Sequence, residues 1–118
     1  MALPELIRAQ VEKKLGKLCE DRIPEHVKDK VNLIYKIRGD AVTLIERRFI
    51  PMRETWIEMP IARIKYDRAD SGKWFLFMAN RNDKWFNYFD YFNGSKKART
   101  LDKVIEEIDK DPKGVFWG

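Results

Sequence analysis

Residues 31–45 read VNLIYKIRGDAVTLI, and the alternation of side chains in this stretch decides the fold. Apolar residues recur at every second position on both sides of Gly39-Asp40, which is the period of a β-strand. Glycine at the first position of a two-residue turn can adopt a positive φ, so Gly39-Asp40 predicts a type II′ hairpin. In this register Arg38 lies opposite Ala41, and the other pairs follow in order. One face of the hairpin is then apolar and the other is mixed.

Both ends of the chain carry the period of an amphipathic helix. In residues 3–19, apolar side chains recur every three or four positions, and the helix is expected to end before Pro24, which disfavours helical backbone in the residue before it. The members of this stripe are Leu3, Leu6, Ile7, Val11, Leu15 and Leu18. Near the other end, Thr100 is expected to cap a second helix, and Asp111-Pro112 ends it. The second stripe consists of Leu101, Val104, Ile105 and Ile108.

Three further strands are predicted after the hairpin, over residues 56–66, 73–79 and 84–89. Pro60 cannot donate a backbone hydrogen bond, so the first half of the third strand is expected at a sheet edge or at a bulge. The order of elements predicts an α+β fold, in which an antiparallel sheet of about five strands carries an N-terminal and a C-terminal helix. With 118 residues, the chain is expected to form a single globular domain, 1–118.

The composition indicates a globular protein and excludes several kinds of site. Apolar residues make up 44% and charged residues 36%, which is neither a fibrous nor a disordered composition. One cysteine, Cys19, cannot form an intramolecular disulfide, and with a single histidine the chain lacks the ligands of a zinc site, so we expect no metal and no other cofactor. Residues 1–8 are too short and polar for a signal peptide, so we expect a cytoplasmic location and no membrane partner. The apolar residues 115–118 are expected to pack back onto the domain.

The titratable residues show no pattern typical of an active site. His26 lies in a loop, and nothing in the sequence places a carboxylate or Cys19 beside it. The acidic residues within 106–111 are interpreted as a solvated helix face. Glu46 is predicted at the border of the core, where either Arg48 or a basic residue of the third strand supplies the partner of a structural ion pair. The chain is therefore expected not to be an enzyme, and no small-molecule substrate is inferred.

The excess of positive charge lies in the strand region, where five basic residues are candidates for binding a nucleic acid or another polyanion. These residues are Lys36, Arg38, Arg47, Arg63 and Lys65. The first three share one face of the hairpin and the last two share one face of the third strand, so they form a single basic surface if both sets lie on the same side. Such a surface attracts phosphates, and Phe75 and Phe77 could stack bases beside it. In the alternative interpretation, the cations are a solvated face and the phenylalanines lie in the core beneath a helix.

A dense aromatic run supports a second hypothesis. Residues 85–92 hold six aromatic side chains in eight positions, more than one face of a strand can carry. Burial on both faces of a central strand accounts for most of them, and the rest could form an exposed patch for a protein partner or for a second copy of the chain. The candidate interface residues are Trp85, Tyr88, Tyr91 and Phe92. The leading hypothesis is a non-catalytic module that binds nucleic acid or another polyanion, and an interaction or homodimerisation module is the alternative.

Six segments carry a resemblance that covers nearly the whole chain in order. They are residues 22–27 (RIPEHV), 31–47, 60–66 (PIARIKY), 74–76 (WFL), 84–88 (KWFNY) and 114–118 (GVFWG). In their aromatic and Pro-x-Ala spacing they resemble a small bacterial family known as domain-of-unknown-function family 3024. At Phe86-Asn87 the chain departs from the polar pair, such as His-Arg, that members often carry between the tryptophan and the tyrosine. The resemblance implies the extent of the fold, and it implies no catalytic residue, substrate or cofactor.

Overall fold

The computed structural model describes residues 2–80, 82 and 84–117 and has an α+β fold. Its helices are α1 (Glu5–Arg22), α2 (Tyr88–Asn93) and α3 (Leu101–Lys110), and single 3-10 turns cover Glu25–Val27 and Pro51–Arg53. Its strands are β1 (Val31–Arg38), β2 (Ala41–Ile50), β3 (Thr55–Tyr66), β4 (Lys73–Ala79), β5 (Trp85–Asn87) and β6 (Arg99–Thr100). The strands pair antiparallel in the order β1-β2-β3-β4-β5, and β6 pairs with β4. The predicted fold class is confirmed.

The central hairpin has the register that the sequence predicts. Arg38 pairs with Ala41, and the ladder continues without interruption to the pair of Val31 with Arg48. Gly39 adopts a φ of 58°, which is the positive value that the first position of this turn requires. Because side chains alternate across a strand, this register decides which residues of β1 and β2 share a face.

Pro60 lies both at a bulge and at a free edge. The pairing of β2 with β3 shifts between Leu44 and Ile45, so that Leu44 faces Ala62, Ile45 faces Pro60 and Ile61 is the extra residue. β4 pairs only with the end of β3, from Arg63 onward, so no described strand pairs with β3 at Pro60 on that side. A residue without an N–H group is tolerated at such a position, and the sequence-based expectation is confirmed.

The core lies on one face of the sheet, against the helices. The strands contribute Val42, Leu44, Ala62, Ile64, Tyr66, Trp74, Leu76 and Met78, and the helices contribute Val11, Leu15, Leu18, Tyr88, Phe89, Leu101, Val104 and Ile108. These residues form one cluster, so the buried helical side chains all pack on the same face of the sheet. The predicted stripe of α1 is wrong at one position, because Leu6 is 72% exposed.

The fifth strand is shorter than the sequence predicts. It was expected to extend over residues 84–89, but β5 ends at Asn87 and α2 begins at the next residue. The Asn87 side chain accepts a hydrogen bond of 3.1 Å from the backbone N–H of Asp90, which makes Asn87 the N-cap of α2. A helix allows Tyr88 and Phe89 to enter the same core, whereas a strand would direct them to opposite faces.

The C-terminal segment is held by Asp111. Its carboxylate accepts hydrogen bonds of 2.8–3.2 Å from the backbone N–H groups of Val115, Phe116 and Trp117. Phe116 is buried in the core, and the indole Nε1 of Trp117 donates to the carbonyl oxygen of Ile108 at 2.6 Å. The prediction that this segment packs on the domain is confirmed for residues 115–117, and Gly118 lies outside the described residues.

Two acidic residues of α3 and its end are not part of a solvated face, contrary to the expectation from sequence. Asp111 accepts hydrogen bonds from the backbone N–H groups of residues 115–117. Glu107 accepts a hydrogen bond of 2.8 Å from the hydroxyl of the buried Tyr88. Glu46 is confirmed at the border of the core, with a side chain 13% exposed and an ion pair of 2.5 Å to Arg48. These carboxylates have structural partners.

We predict that Asp111→Ala destabilises the domain by about 2–4 kcal/mol, because it removes several charge-assisted hydrogen bonds and places alanine in a left-handed conformation. The φ of Asp111 is 44°. Asp111→Asn keeps one acceptor oxygen and tolerates this conformation, so its loss should be intermediate. Urea unfolding gives the free energies. Asp102→Ala, which breaks an exposed ion pair with Lys14, is the control and should cost about 1 kcal/mol or less. If Asp111→Ala costs no more than this control, Asp111 does not hold the C-terminal segment in place.

We predict that the thiol of Cys19 is slow to react in the folded protein. Burial of the thiol, with a smaller contribution from the charge of Glu20, raises the pKa of Cys19 to about 11. At pH 8 the thiolate fraction, and with it the rate with an aromatic disulfide reagent, should be about a hundredfold lower than in the urea-unfolded chain. Equal rates in the folded and unfolded protein would show that Cys19 is not shielded.

Candidate functional site

The face of the sheet opposite the core, here called the outer face, carries the side chains that alternate with the core positions. The structure places all five basic candidate residues and both candidate phenylalanines on it. These are Lys36, Arg38, Arg47, Arg63, Lys65, Phe75 and Phe77. No described helix contributes a buried residue to this face, because the buried helical residues belong to the core cluster on the other side. The phenylalanines are therefore not covered by a helix, and each is half-buried.

Two neighbouring cross-strand rows repeat the same sequence of side-chain types from β1 to β4. Row 1 consists of Arg38, Ala41, Lys65 and Phe75. Row 2 consists of Lys36, Thr43, Arg63 and Phe77. Each row has a cation on β1, a small residue on β2, a cation on β3 and a phenylalanine on β4. Two columns of positive charge therefore lie on either side of the small residues of β2, with two aromatic rings beside the column on β3.

The cations differ in how far they are neutralised. Glu58, on the outer face of β3, lies 3.2 Å from Lys36 (Oε1 to Nζ) and 3.4 Å from Arg47 (Oε2 to Nε). Arg38 and Lys65 are exposed and form no ion pair with any residue that the structure describes. Exposed, unpaired cations attract phosphates without first breaking an ion pair, and row 1 supplies two such cations.

Arg63 is held in place by its neighbours. Its Nε lies 3.4 Å from the hydroxyl oxygen of Thr43, and its guanidinium carbon lies 4.6 Å from the centre of the Trp85 ring. A guanidinium over an aromatic face is stabilised by cation–π attraction and keeps its charge. Trp85 therefore belongs to the outer face, where it orients Arg63.

The other aromatic candidates do not form one surface with Trp85. Tyr88 is 1% exposed and lies in the core, so it is not available to a partner, and Phe92 packs against it with ring centres 5.1 Å apart. Tyr91 is 68% exposed, and Phe86, which the sequence did not single out, is 42% exposed. Tyr91, Phe92 and Phe86 line an open cleft of about 760 Å³ beside Lys113. Because neighbouring strand residues point to opposite faces, this cleft lies on the side of β5 away from Trp85.

Two charged residues of the outer face were not among the candidates from the sequence. Lys73 lies on it at the start of β4, and its position follows from the alternation that places Phe75 there. Glu58 could not be assigned from the sequence, because its place opposite Arg47 depends on the bulge at Ile61. Without that extra residue, the first half of β3 would present its other set of side chains.

Within residues 2–80, 82 and 84–117, no three His, Cys, Asp or Glu side chains are grouped as metal ligands. No helix in the same part of the chain combines the length and the apolar composition needed to cross a bilayer. His26 is exposed in the 3-10 turn that follows α1.

Comparison with known proteins identifies the family. The family model described as "Domain of unknown function (DUF3024)" matches residues 3–118. The chain belongs to this family. The match confirms the resemblance seen in the six sequence segments. No curated protein and no solved structure matches the chain. The description of DUF3024 names no activity.

Proposed function

We propose that this DUF3024 domain is a non-catalytic module that binds nucleic acid through the outer face of its sheet. The observation that carries the proposal is the repetition of cation, small residue, cation and phenylalanine in rows 1 and 2, on a face that no described helix covers. The proposal agrees with the cytoplasmic location that we propose for the chain, where nucleic acid is available.

The combination of residue types favours nucleic acid over other polyanions. Lysine and arginine supply an attraction to phosphates that releases condensed counterions and therefore weakens as salt is added. Phenylalanine adds nothing to that attraction, but it supplies a π-face on which any base can stack. A sulfated polysaccharide or polyphosphate would use the cations alone, and the rings next to Lys65 and Arg63 would remain unused.

The cleft on the other side of β5 supports protein interaction or homodimerisation as a second candidate. Tyr91 and Phe86 are large, exposed apolar side chains that line this cleft together. Paired exposed aromatic residues are more common at interaction surfaces than on the rest of a protein surface. Light scattering in low and high salt separates the two functions: a salt-independent dimer that Tyr91→Ser converts to monomer supports the second candidate.

We predict that Arg38→Glu combined with Lys65→Glu weakens binding to a fluorescein-labelled, 20-nucleotide single strand of mixed sequence by at least about tenfold. These two cations are unpaired, so their reversal removes attraction without breaking an ion pair of the fold. The slope of log K against log salt should fall in magnitude by about 1.4, since each lost phosphate contact on a single strand contributes about 0.7. Fluorescence anisotropy at several salt concentrations measures both quantities.

The matched control is Lys13→Glu combined with Lys17→Glu. Both lysines are exposed on α1, away from the outer face, and the pair produces the same change in net charge. The control should lose affinity only through the weak, long-range effect of net charge. If the two double variants lose the same affinity, binding is not localised on the outer face and the proposal is wrong.

We predict that Glu58→Gln strengthens binding to the same strand by about threefold, because it releases Lys36 and Arg47 from their shared partner and removes a like charge near the phosphates. Glu106→Gln changes the net charge equally at an exposed position of α3 and is the control. Anisotropy titrations at one salt concentration compare the two. A gain for Glu106→Gln that equals the gain for Glu58→Gln would argue against a role for the outer face.

A further inference from the structure

We propose that the nucleic acid bound by the outer face is single-stranded and that it runs along β4, with successive bases on Phe75 and Phe77. This inference rests on the proposed function and names the class of nucleic acid that the same face selects. It is carried by the width of the face, by the spacing of the two rings and by the position of the cations beside them.

The width of the outer face excludes the deep contact that duplex recognition needs. Rows 1 and 2 extend over four strands, β1 to β4. At about 4.8 Å between neighbouring strands, the distance from β1 to β4 is about 14 Å. The major groove of a DNA duplex is about 12 Å wide and admits one helix or a two-stranded ribbon. A duplex would therefore contact this face only through phosphates, and neither ring would reach a base.

The spacing of the rings does not match stacked bases. Phe75 and Phe77 lie on the same side of β4, two residues apart, which separates their positions by about 6.7 Å. Consecutive base pairs of a duplex are about 3.4 Å apart. Two bases that stack on the two rings must therefore be separated from each other by about twice that distance. Only a strand whose bases are not paired and not stacked on one another can adopt this spacing.

The cations lie where the phosphates of such a strand would pass. Lys65 is the cross-strand neighbour of Phe75, and Arg63 is the neighbour of Phe77. Cross-strand neighbours are about 5 Å apart, so a base on either ring brings its own phosphate within reach of the cation in the same row. On β2, the neighbour of Lys65 is the small Ala41, whereas the neighbour of Arg63 is Thr43, which Arg63 contacts. The strand is thus expected to run parallel to β4.

One of these cations is already positioned before a ligand arrives. The contacts of Arg63 with Thr43 and with the ring of Trp85 hold its guanidinium over the outer face. A side chain that is already ordered loses less conformational entropy when it binds. A guanidinium plane is also a surface on which an unpaired base can stack. Row 2 therefore combines a fixed charge with two stacking surfaces.

The test compares three fluorescein-labelled probes at the same salt concentration: the single strand dT12, the dA12·dT12 duplex, and an abasic chain of twelve sugar-phosphate units. We expect dT12 to bind at least about tenfold tighter than either of the others, because stacking on an aromatic side chain adds to the affinity for each base. The abasic chain keeps the flexibility of the single strand and lacks only the bases, so it isolates the contribution of the rings.

The variant is Phe75→Leu combined with Phe77→Leu, which keeps apolar side chains at half-buried positions and removes the rings. It should lower the affinity for dT12 to the level of the abasic chain and leave the affinity for the abasic chain unchanged, which also shows that the outer face is intact. Phe86→Leu, at a partly exposed phenylalanine on the opposite side of β5, is the control and should change neither affinity.

Equal affinities for dT12 and the duplex, or an undiminished affinity of the leucine variant for dT12, would overturn this inference. The proposed function would still hold in that case if Arg38→Glu with Lys65→Glu weakens binding of the probes. If none of the three probes binds at low salt, the proposed function and this inference are both wrong.

Discussion

The packing of the helices against one face of the sheet is the constraint on which the rest of this structure depends. The helices place their buried side chains against a single face of the sheet, so the core is built from alternate residues of β2, β3 and β4. The residues between them are left on a face that no described helix covers. Half-buried phenylalanines on such a face retain contact with solvent, which is the condition for any role in binding. Both the fold and the proposed site follow from this division.

Hydrogen bonds to the Asp111 carboxylate hold the C-terminal segment against the same core. Asp111 adopts a left-handed conformation just after α3 and offers both carboxylate oxygens to consecutive backbone N–H groups of the returning chain. This geometry directs Phe116 into the cluster that contains Tyr88, with the two rings 5.2 Å apart. One charged side chain thereby satisfies backbone donors that would otherwise be buried without partners. Apolar burial and hydrogen bonding therefore act on the same short segment.

The outer face shows how a sheet can keep charge available. Like charges directly opposite each other on adjacent strands repel. On the outer face, β2 lies between the cations of β1 and those of β3 and places the uncharged Ala41 and Thr43 between them. Glu58 lowers the repulsion further by bridging Lys36 and Arg47, whereas Arg38 and Lys65 keep their full charge near the hairpin turn. The arrangement neutralises the charge in one part of the face and leaves the cations of the other part without ion pairs.

The sequence by itself determined the central hairpin, the terminal helices and the irregularity at Pro60, because these depend on local periodicity, turn chemistry and a missing N–H group. It also determined which residues share a face of each strand, and so two separate sets of cations, one on the hairpin and one on β3. The pairing of β2 with β3 decided that the two sets lie on the same side of the sheet. Only the tertiary structure decided which face of β4 is covered, because both faces of this strand carry large apolar side chains and alternation does not distinguish them. Tertiary packing likewise decided that Asn87 ends β5, and the bulge at Ile61 decided that Glu58 faces Arg47. These outcomes depend on contacts between segments distant in sequence, which no local pattern encodes.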